Sequence, residues 1–183
     1  SFFINTKKVE DNNNETIWDV SKREGIDIPH LCHSNKKGYK PDGNCRACVV
    51  EVQGEKTFTA SCIRKPTQGM KVCTNAPKVE NSQNLILELL LSDQPKNFQE
   101  NHFWNTLNKK KINKSRFLQK NKDYVPNIDQ SHPAMTVSFD ACIQCGLCIR
   151  ACRDVQVNDV LGMSGRGANL SLIHISEPTR HRS

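Results

Sequence analysis

Short runs of alternating apolar and polar residues, separated by turn-forming clusters, run through the first part of the chain. Phe2 to Ile4 suggests a short strand, and Asp11-Asn12-Asn13-Asn14 a turn. A helix is predicted to start near Thr16, with Asp19 three positions on as an approximate capping box. Its positions Ile17, Trp18 and Val20 would face the core, and Gly25 suits its C-terminal cap. Val49 to Gln53 favours a strand, Gln53-Gly54-Glu55 a turn, and Thr57 to Ala60 the return strand of a hairpin. From Asn81 to Ser92 the period lengthens: Leu85, Ile86, Leu89 and Leu90 recur at helical spacing, Leu87 and Leu91 widen the apolar face, and Pro95 marks the stop. Residues 96–131 are polar and basic, with Phe103, Trp104 and Phe117 as anchors, and read as a connector with one short helix. Val137-Ser138-Phe139 suggests a last short strand. The pattern predicts an α+β chain: a small module over 1–80, a helix and basic connector over 81–131, and a separate unit over 132–169.

Composition narrows the chemistry. A chain of 183 residues holds one or two small domains with modest cores, and such domains often depend on bound metal. The nine cysteines are an odd number, and no secretory signal opens the chain. Both facts favour reduced, metal-binding thiols over disulfides, and a cytoplasmic location. No apolar run approaches the roughly 18 residues of a membrane span, so no membrane association is expected. The net charge of +7 is concentrated in Lys109, Lys110, Lys111, Lys114, Arg116, Lys120 and Lys122, interleaved with Phe117 and Tyr124. That stretch has the look of an RNA-binding stripe, but no nucleic-acid module accompanies it. A solvated connector, or a docking surface for an acidic partner, is the preferred reading.

Eight of the nine cysteines form two sets. Cys32, Cys45, Cys48 and Cys62 follow C-x12-C-x2-C-x13-C, and Cys142, Cys145, Cys148 and Cys152 follow C-x2-C-x2-C-x3-C. An iron–sulfur cluster needs four thiolates and a loop whose backbone N–H groups approach its sulfurs. In Pro41-Asp42-Gly43-Asn44-Cys45-Arg46-Ala47-Cys48, Gly43 and Asn44 tolerate positive φ, and Ala47 keeps the gap between ligands small. A zinc site is the alternative, but it usually joins two close-spaced pairs, and only one is present here. His30 and His33 flank Cys32 and are expected to pack or face solvent more often than to bind metal. The compact second run matches bacterial ferredoxins: Cys142, Cys145 and Cys148 would hold one 4Fe–4S cluster, Gly146 would let the chain turn beneath it, and Cys152 would serve a second 4Fe–4S cluster. Arg150 and Arg153 stand beside this run; each would raise a cluster's potential if turned toward it and do little if turned to solvent. Arg153 also stands where many ferredoxins carry proline.

Ile28-Pro29-His30-Leu31-Cys32, Gly43-Asn44-Cys45-Arg46-Ala47-Cys48-Val49-Val50-Glu51-Val52, Ala60-Ser61-Cys62 and Gly69-Met70-Lys71-Val72 together resemble a known family. It is the N-terminal 2Fe–2S domain of NAD-linked formate dehydrogenase alpha subunits, the complex I large iron–sulfur subunit and hydrogenase diaphorase subunits. The resemblance implies a β-grasp ferredoxin fold with Cys32, Cys45, Cys48 and Cys62 as ligands. Cys73 matches no ligand position and is expected to be a small buried residue. Ser131-His132-Pro133-Ala134-Met135, Asp140-Ala141-Cys142-Ile143-Gln144-Cys145 and Val155-Gln156-Val157-Asn158-Asp159-Val160 look more like the formate dehydrogenase branch. Complex I subunits and diaphorases carry a His/Cys3 cluster motif between the two sets, whereas residues 74–141 here contain no cysteine.

The reading is therefore an electron-transfer fragment of a formate dehydrogenase alpha subunit. By resemblance, a bis-pterin molybdenum or tungsten cofactor would sit in a missing C-terminal part, and flavin- and NAD-binding diaphorase-type subunits would be partners. No residue present would perform the formate chemistry. The alternatives are a hydrogenase diaphorase or complex I subunit, and, from another class, a zinc-stabilised basic RNA-binding module. Leu170 to Arg180 also reads as a translated sequencing adapter. Residues 170–183 are accordingly expected to be an artefactual tail, with the natural protein continuing beyond about Asn169.

Overall fold

The structure is a computed structural model that describes residues 1–12, 14–95, 101–118, 128–132, 135–165 and 171–174. Its N-terminal part is built on a five-stranded mixed sheet. Strand β1 (Phe2–Ile4) pairs antiparallel with β2 (Lys7–Val9), and helix α1 (Ile17–Arg23) follows. Strands β3 (Val49–Val52), β4 (Thr59–Ala60) and β5 (Lys71–Cys73) complete the sheet in the order β2-β1-β5-β3-β4. The central pair β1 and β5 is parallel, which joins the two ends of the unit (Phe3 opposite Lys71, Ile4 opposite Val72).

Helix α1 starts as its sequence dictates. The Thr16 side chain accepts from the Asp19 N–H at 3.2 Å, and the Asp19 carboxylate accepts from the Thr16 N–H at 2.9 Å, a complete capping box. Ile17, Trp18 and Val20 then pack with Phe2, Ile4, Ile28, Val50, Val52 and Val72 in the first core. Glu24 caps the helix, and Gly25 follows at φ +75°, a conformation open to glycine without strain.

Helix α2 spans Pro77–Asp93, four residues earlier than expected, because Pro77 occupies the first turn where its missing N–H costs nothing. Its buried stripe also differs from the predicted one. Val79, Gln83, Leu87 and Leu91 face inward, together with Glu88 and Ser92, whereas Leu89 is 53% exposed. With so many apolar residues between positions 85 and 91, the packing partner decides the face. Its partners are strand β3, which Gln83 reaches, and helix α3 (His102–Lys110), capped by Asn101, whose side chain accepts from the N–H groups of Phe103 and Trp104. Leu87, Leu91, Phe103 and Leu107 form a second core with Leu31 and Ala47 from the cysteine loop.

The basic segment folds back on this pair. Arg116 makes a two-pronged bond to Glu88 (2.7 and 3.0 Å), Lys110 reaches Gln83 at 3.0 Å, and Lys109 pairs with Asp27 at 3.3 Å. Part of the stretch read as a nucleic-acid stripe is thus engaged within the chain; Lys120, Lys122 and Tyr124 lie outside the described residues. Strands β6 (Ile128–His132) and β7 (Met135–Ser138) form a hairpin, where only a strand near 137–139 was expected. A 3-10 turn (Phe139–Ala141) leads to the second cysteine run and helix α4 (Leu147–Arg150), which continues into a π-helical turn (Ala151–Val155). Strands β8 (Leu161–Ser164) and β9 (Ser171–His174) pair antiparallel, so part of the expected tail forms a strand; residues 175–183 lie outside the described residues. Among the described residues no helix is long and apolar enough to cross a membrane.

Candidate iron–sulfur site

The first four cysteines converge at one end of the N-terminal sheet. Cys32 follows the loop from α1, Cys45 and Cys48 lead into β3, and Cys62 follows β4. Cys32, Cys48 and Cys62 are buried and Cys45 is half-buried. The Ser61 N–H and hydroxyl both bond the Cys48 carbonyl (3.1 and 2.7 Å), tying the segments that carry Cys48 and Cys62 together.

Positive φ occurs at Gly43 (+62°) and Arg46 (+58°), not at Asn44 as expected, so a left-handed residue sits between the paired cysteines Cys45 and Cys48. This turn lets the Cys45 N–H donate to Cys32 Sγ at 3.4 Å. A Cβ at Gly43 would also lie 2.9 Å from Ile63 Cδ1, the far end of an exposed side chain that would have to shift.

The thiols perturb one another directly. Hydrogen bonds from Cys45 and Cys62, with backbone N–H groups assisting against burial, push the Cys32 thiol far down. Cys45 is pushed up, first by its bond to Cys32 and then by burial. Cys62 rises through its bonds to Cys32 and Cys48, and Cys48 falls through its bond to Cys62. The four sulfurs therefore compete for protons in one buried space. A group that binds them as thiolates relieves that competition, which is the chemistry expected of cluster ligands. Among the described residues, no three His, Cys, Asp or Glu side chains are grouped to hold a single metal ion.

His30 and His33 pack rather than join the sulfurs. Both lie edge-on to the Trp18 ring, at centroid distances of 4.6 and 4.5 Å. Burial, then the neighbouring His102 and His33, lowers His30 to about 4. His102, at the start of α3, donates from Nε2 to the His30 carbonyl at 2.6 Å and braces the approach to Cys32. Cys73 is half-exposed on β5, contrary to expectation, because the strand alternation that buries Val72 turns its neighbour outward.

The second set is more open. Cys142 and Cys148 are exposed, Cys145 is half-buried and Cys152 is buried. Burial pushes both the Cys145 and Cys148 thiols up. Backbone N–H groups already meet two of the sulfurs, Gln144 to Cys142 at 3.4 Å and Val160 to Cys152 at 3.3 Å. Gly146, at φ +69°, makes the predicted turn before α4. Arg150, read from sequence as equally suited to solvent, is buried, while Arg153 is exposed and bonded to Asp154. Sequence reasoning missed the supporting residues Gln83 and His102, whose partners are distant in the chain, and left open which way Arg150 turns.

Residues 1–77 match the family described as the 2Fe–2S iron–sulfur cluster binding domain. The N-terminal unit is a 2Fe–2S ferredoxin-type domain. The chain is 34% identical over 161 residues to the NADP-reducing hydrogenase subunit HndD of Solidesulfovibrio fructosivorans, covering 83% of this chain and 27% of that protein. It is 27% identical over 175 residues to the mitochondrial NADH-ubiquinone oxidoreductase 78 kDa subunit of Neurospora crassa, covering 92% of this chain and 23% of that protein. A chain in the crystal structure of an NAD+-reducing [NiFe]-hydrogenase in the H2-reduced state superimposes with a TM-score of 0.84 at 25% identity, covering 96% of this chain and 75% of that one. The chain thus spans about a quarter of the length of these two curated relatives. They belong to a hydrogenase and an NADH-ubiquinone oxidoreductase, the branch held above as the alternative to formate dehydrogenase.

Proposed function

We propose that this chain is the iron–sulfur electron-transfer region of a larger oxidoreductase of the NADH-quinone oxidoreductase and NAD-reducing hydrogenase type, working in the cytoplasm beside flavin- and NAD-binding subunits. The observation that carries the reading is the buried, mutually interacting thiol set of Cys32, Cys45, Cys48 and Cys62 within the matched 2Fe–2S domain. The parallel closure of β1 on β5 supports the β-grasp form of that domain. When bound, the 2Fe–2S cluster supplies one-electron transfer. The protein's part is to hold the four thiolates deprotonated, direct the Cys45 N–H at sulfur, and exclude water through Leu31, Ala47 and the two helices beneath them. Cys142, Cys145 and Cys148 would hold a 4Fe–4S cluster, with Cys152 serving a second one.

A second reading keeps formate dehydrogenase, with the bis-pterin molybdenum or tungsten centre outside this chain. It is favoured by residues 74–141, which contain no cysteine for the intermediate His/Cys3 motif of the complex I and diaphorase pattern. Hydrogen-, NADH- and formate-dependent dye reduction by the full gene product separates the two. The electron-transfer reading itself is tested by anaerobic reconstitution with iron and sulfide. A brown protein is expected whose 2Fe–2S signal is lost in Cys62→Ser and kept in Cys152→Ser. A colourless protein that takes up zinc and no iron would overturn it in favour of the zinc-stabilised module.

A further inference from the structure

The contact between the two cysteine sets is made by a residue that neither set explains. Arg150 is 3% exposed, although it is an arginine on a four-residue helix. Its guanidinium donates to the Lys40 carbonyl at 2.7 Å, to the Cys32 carbonyl, and to the Cys145 carbonyl at 3.4 Å. Cys32 and Cys145 belong to different sets, so one planar fork bridges both ligand loops. The same loops meet again where Asn44 Nδ2 donates to the Gln144 carbonyl at 2.8 Å, and Ile143 packs on the core containing Leu31 and Ala47.

The charge of Arg150 is the second part of the argument. Among the described residues it pairs with no carboxylate, and its Nε finds no hydrogen-bond partner. Asp154 feels its field but is bonded to Arg153 instead. A buried guanidinium without a counter-ion is costly, and carbonyl dipoles offset only part of that cost. Thiolate-bound iron–sulfur centres are net anionic, and here they would lie on both sides of the cation.

We propose that Arg150 is a positioning residue that clamps the ligand loop of the 2Fe–2S site to that of the second cysteine set and, as their shared counter-charge, raises the potential of the 2Fe–2S centre. This rests on the iron–sulfur reading above. A cation held beside a centre favours its reduced, more negative form, so removing the cation lowers the potential.

The test uses the whole chain, reconstituted anaerobically, as wild type, Arg150→Met, Arg150→Lys and, as a control, Arg153→Met. Iron and sulfide content, an EPR-monitored redox titration and amide hydrogen exchange are read on each. Arg150→Met is expected to lower the 2Fe–2S midpoint potential and to speed exchange in both 30–45 and 142–150. Arg150→Lys, which keeps the charge but loses the fork, should hold the potential nearer wild type while still loosening both loops. Arg153→Met should change neither readout. An iron-replete Arg150→Met with wild-type potential and wild-type exchange overturns the proposal. If Arg150→Met takes up no iron, exchange in the unloaded chains decides: loops no looser than in unloaded wild type overturn the clamp. A wild-type chain that takes up no iron sinks the iron–sulfur reading instead, while the unloaded exchange comparison still judges the clamp.

Discussion

Gln83 offers the sharpest test of how the fold supports the site. Cys48 accepts from the Ser61 N–H, and Val49 stands opposite Ala60 in the same antiparallel pair. The alternation of antiparallel bonding turns the Val49 carbonyl toward the other edge of β3. There β5 ends at Cys73, opposite Glu51, so no strand reaches Val49. Gln83 Nε2 from α2 supplies the missing donor at 3.0 Å, in a position only 1% exposed. Gln83→Leu fills the space but leaves a buried carbonyl unpaired, at a cost of about 1–3 kcal/mol. Gln83→Ala adds a cavity, and the total loss rises to about 2–4 kcal/mol. Urea denaturation followed by far-UV circular dichroism measures both, with an unchanged slope showing that the same surface is exposed on unfolding. A Gln83→Leu variant as stable as wild type would show that Val49 has another donor and refute this account of how α2 is joined to the ligand strand.

Three further predictions follow from single contacts. Thr16→Ala removes the reciprocal cap with Asp19 and should cost about 1 kcal/mol by the same denaturation measurement. Gly43→Ala combines a φ of +62° with a Cβ 2.9 Å from Ile63 Cδ1; it should lose about 1–2 kcal/mol through the left-handed conformation alone and incorporate less iron on reconstitution. Glu88 is held below its ordinary 4.5, first by its hydrogen bond to Arg116. A lowered carboxylate gives stability that is present above 4.5 and lost as pH falls through the folded value. The acid limb of the stability–pH curve should therefore flatten in Glu88→Gln, and an unchanged limb would count against the pair.

What the sequence disclosed and what it hid divide along contact distance. Helix α1 was legible because Thr16 and Asp19 satisfy each other's backbone within three residues. Strands β2 and β5 were not, because three residues carry no period and their pairing depends on β1, whose partner Lys71 lies far along the chain from Phe3. The face of α2 was misread because leucines and isoleucine crowd positions 85 to 91, while the stripe actually buried passes through polar Gln83 and Glu88. The carbonyl of Val49 and the ammonium of Lys110 engage Gln83, and the guanidinium of Arg116 engages Glu88, which explains why those two polar residues face inward.

The cysteine sets show the same division at the level of function. Spacing made the second set legible as a chemical unit, and spacing with the local sequence made the first, but both were left separated by a basic connector without cysteine, where the related pattern places an intermediate cluster. The fold removes most of that separation. Helices α2 and α3 build a core beneath Leu31 and Ala47, and Ile143 of the second run joins the same core. Asn44 and Arg150 then bond across the two loops. Contact between the sets is made by packing and by carbonyl-directed hydrogen bonds, none of which requires a ligand from residues 74–141. An intermediate centre is thus not needed to bring the two cysteine loops together.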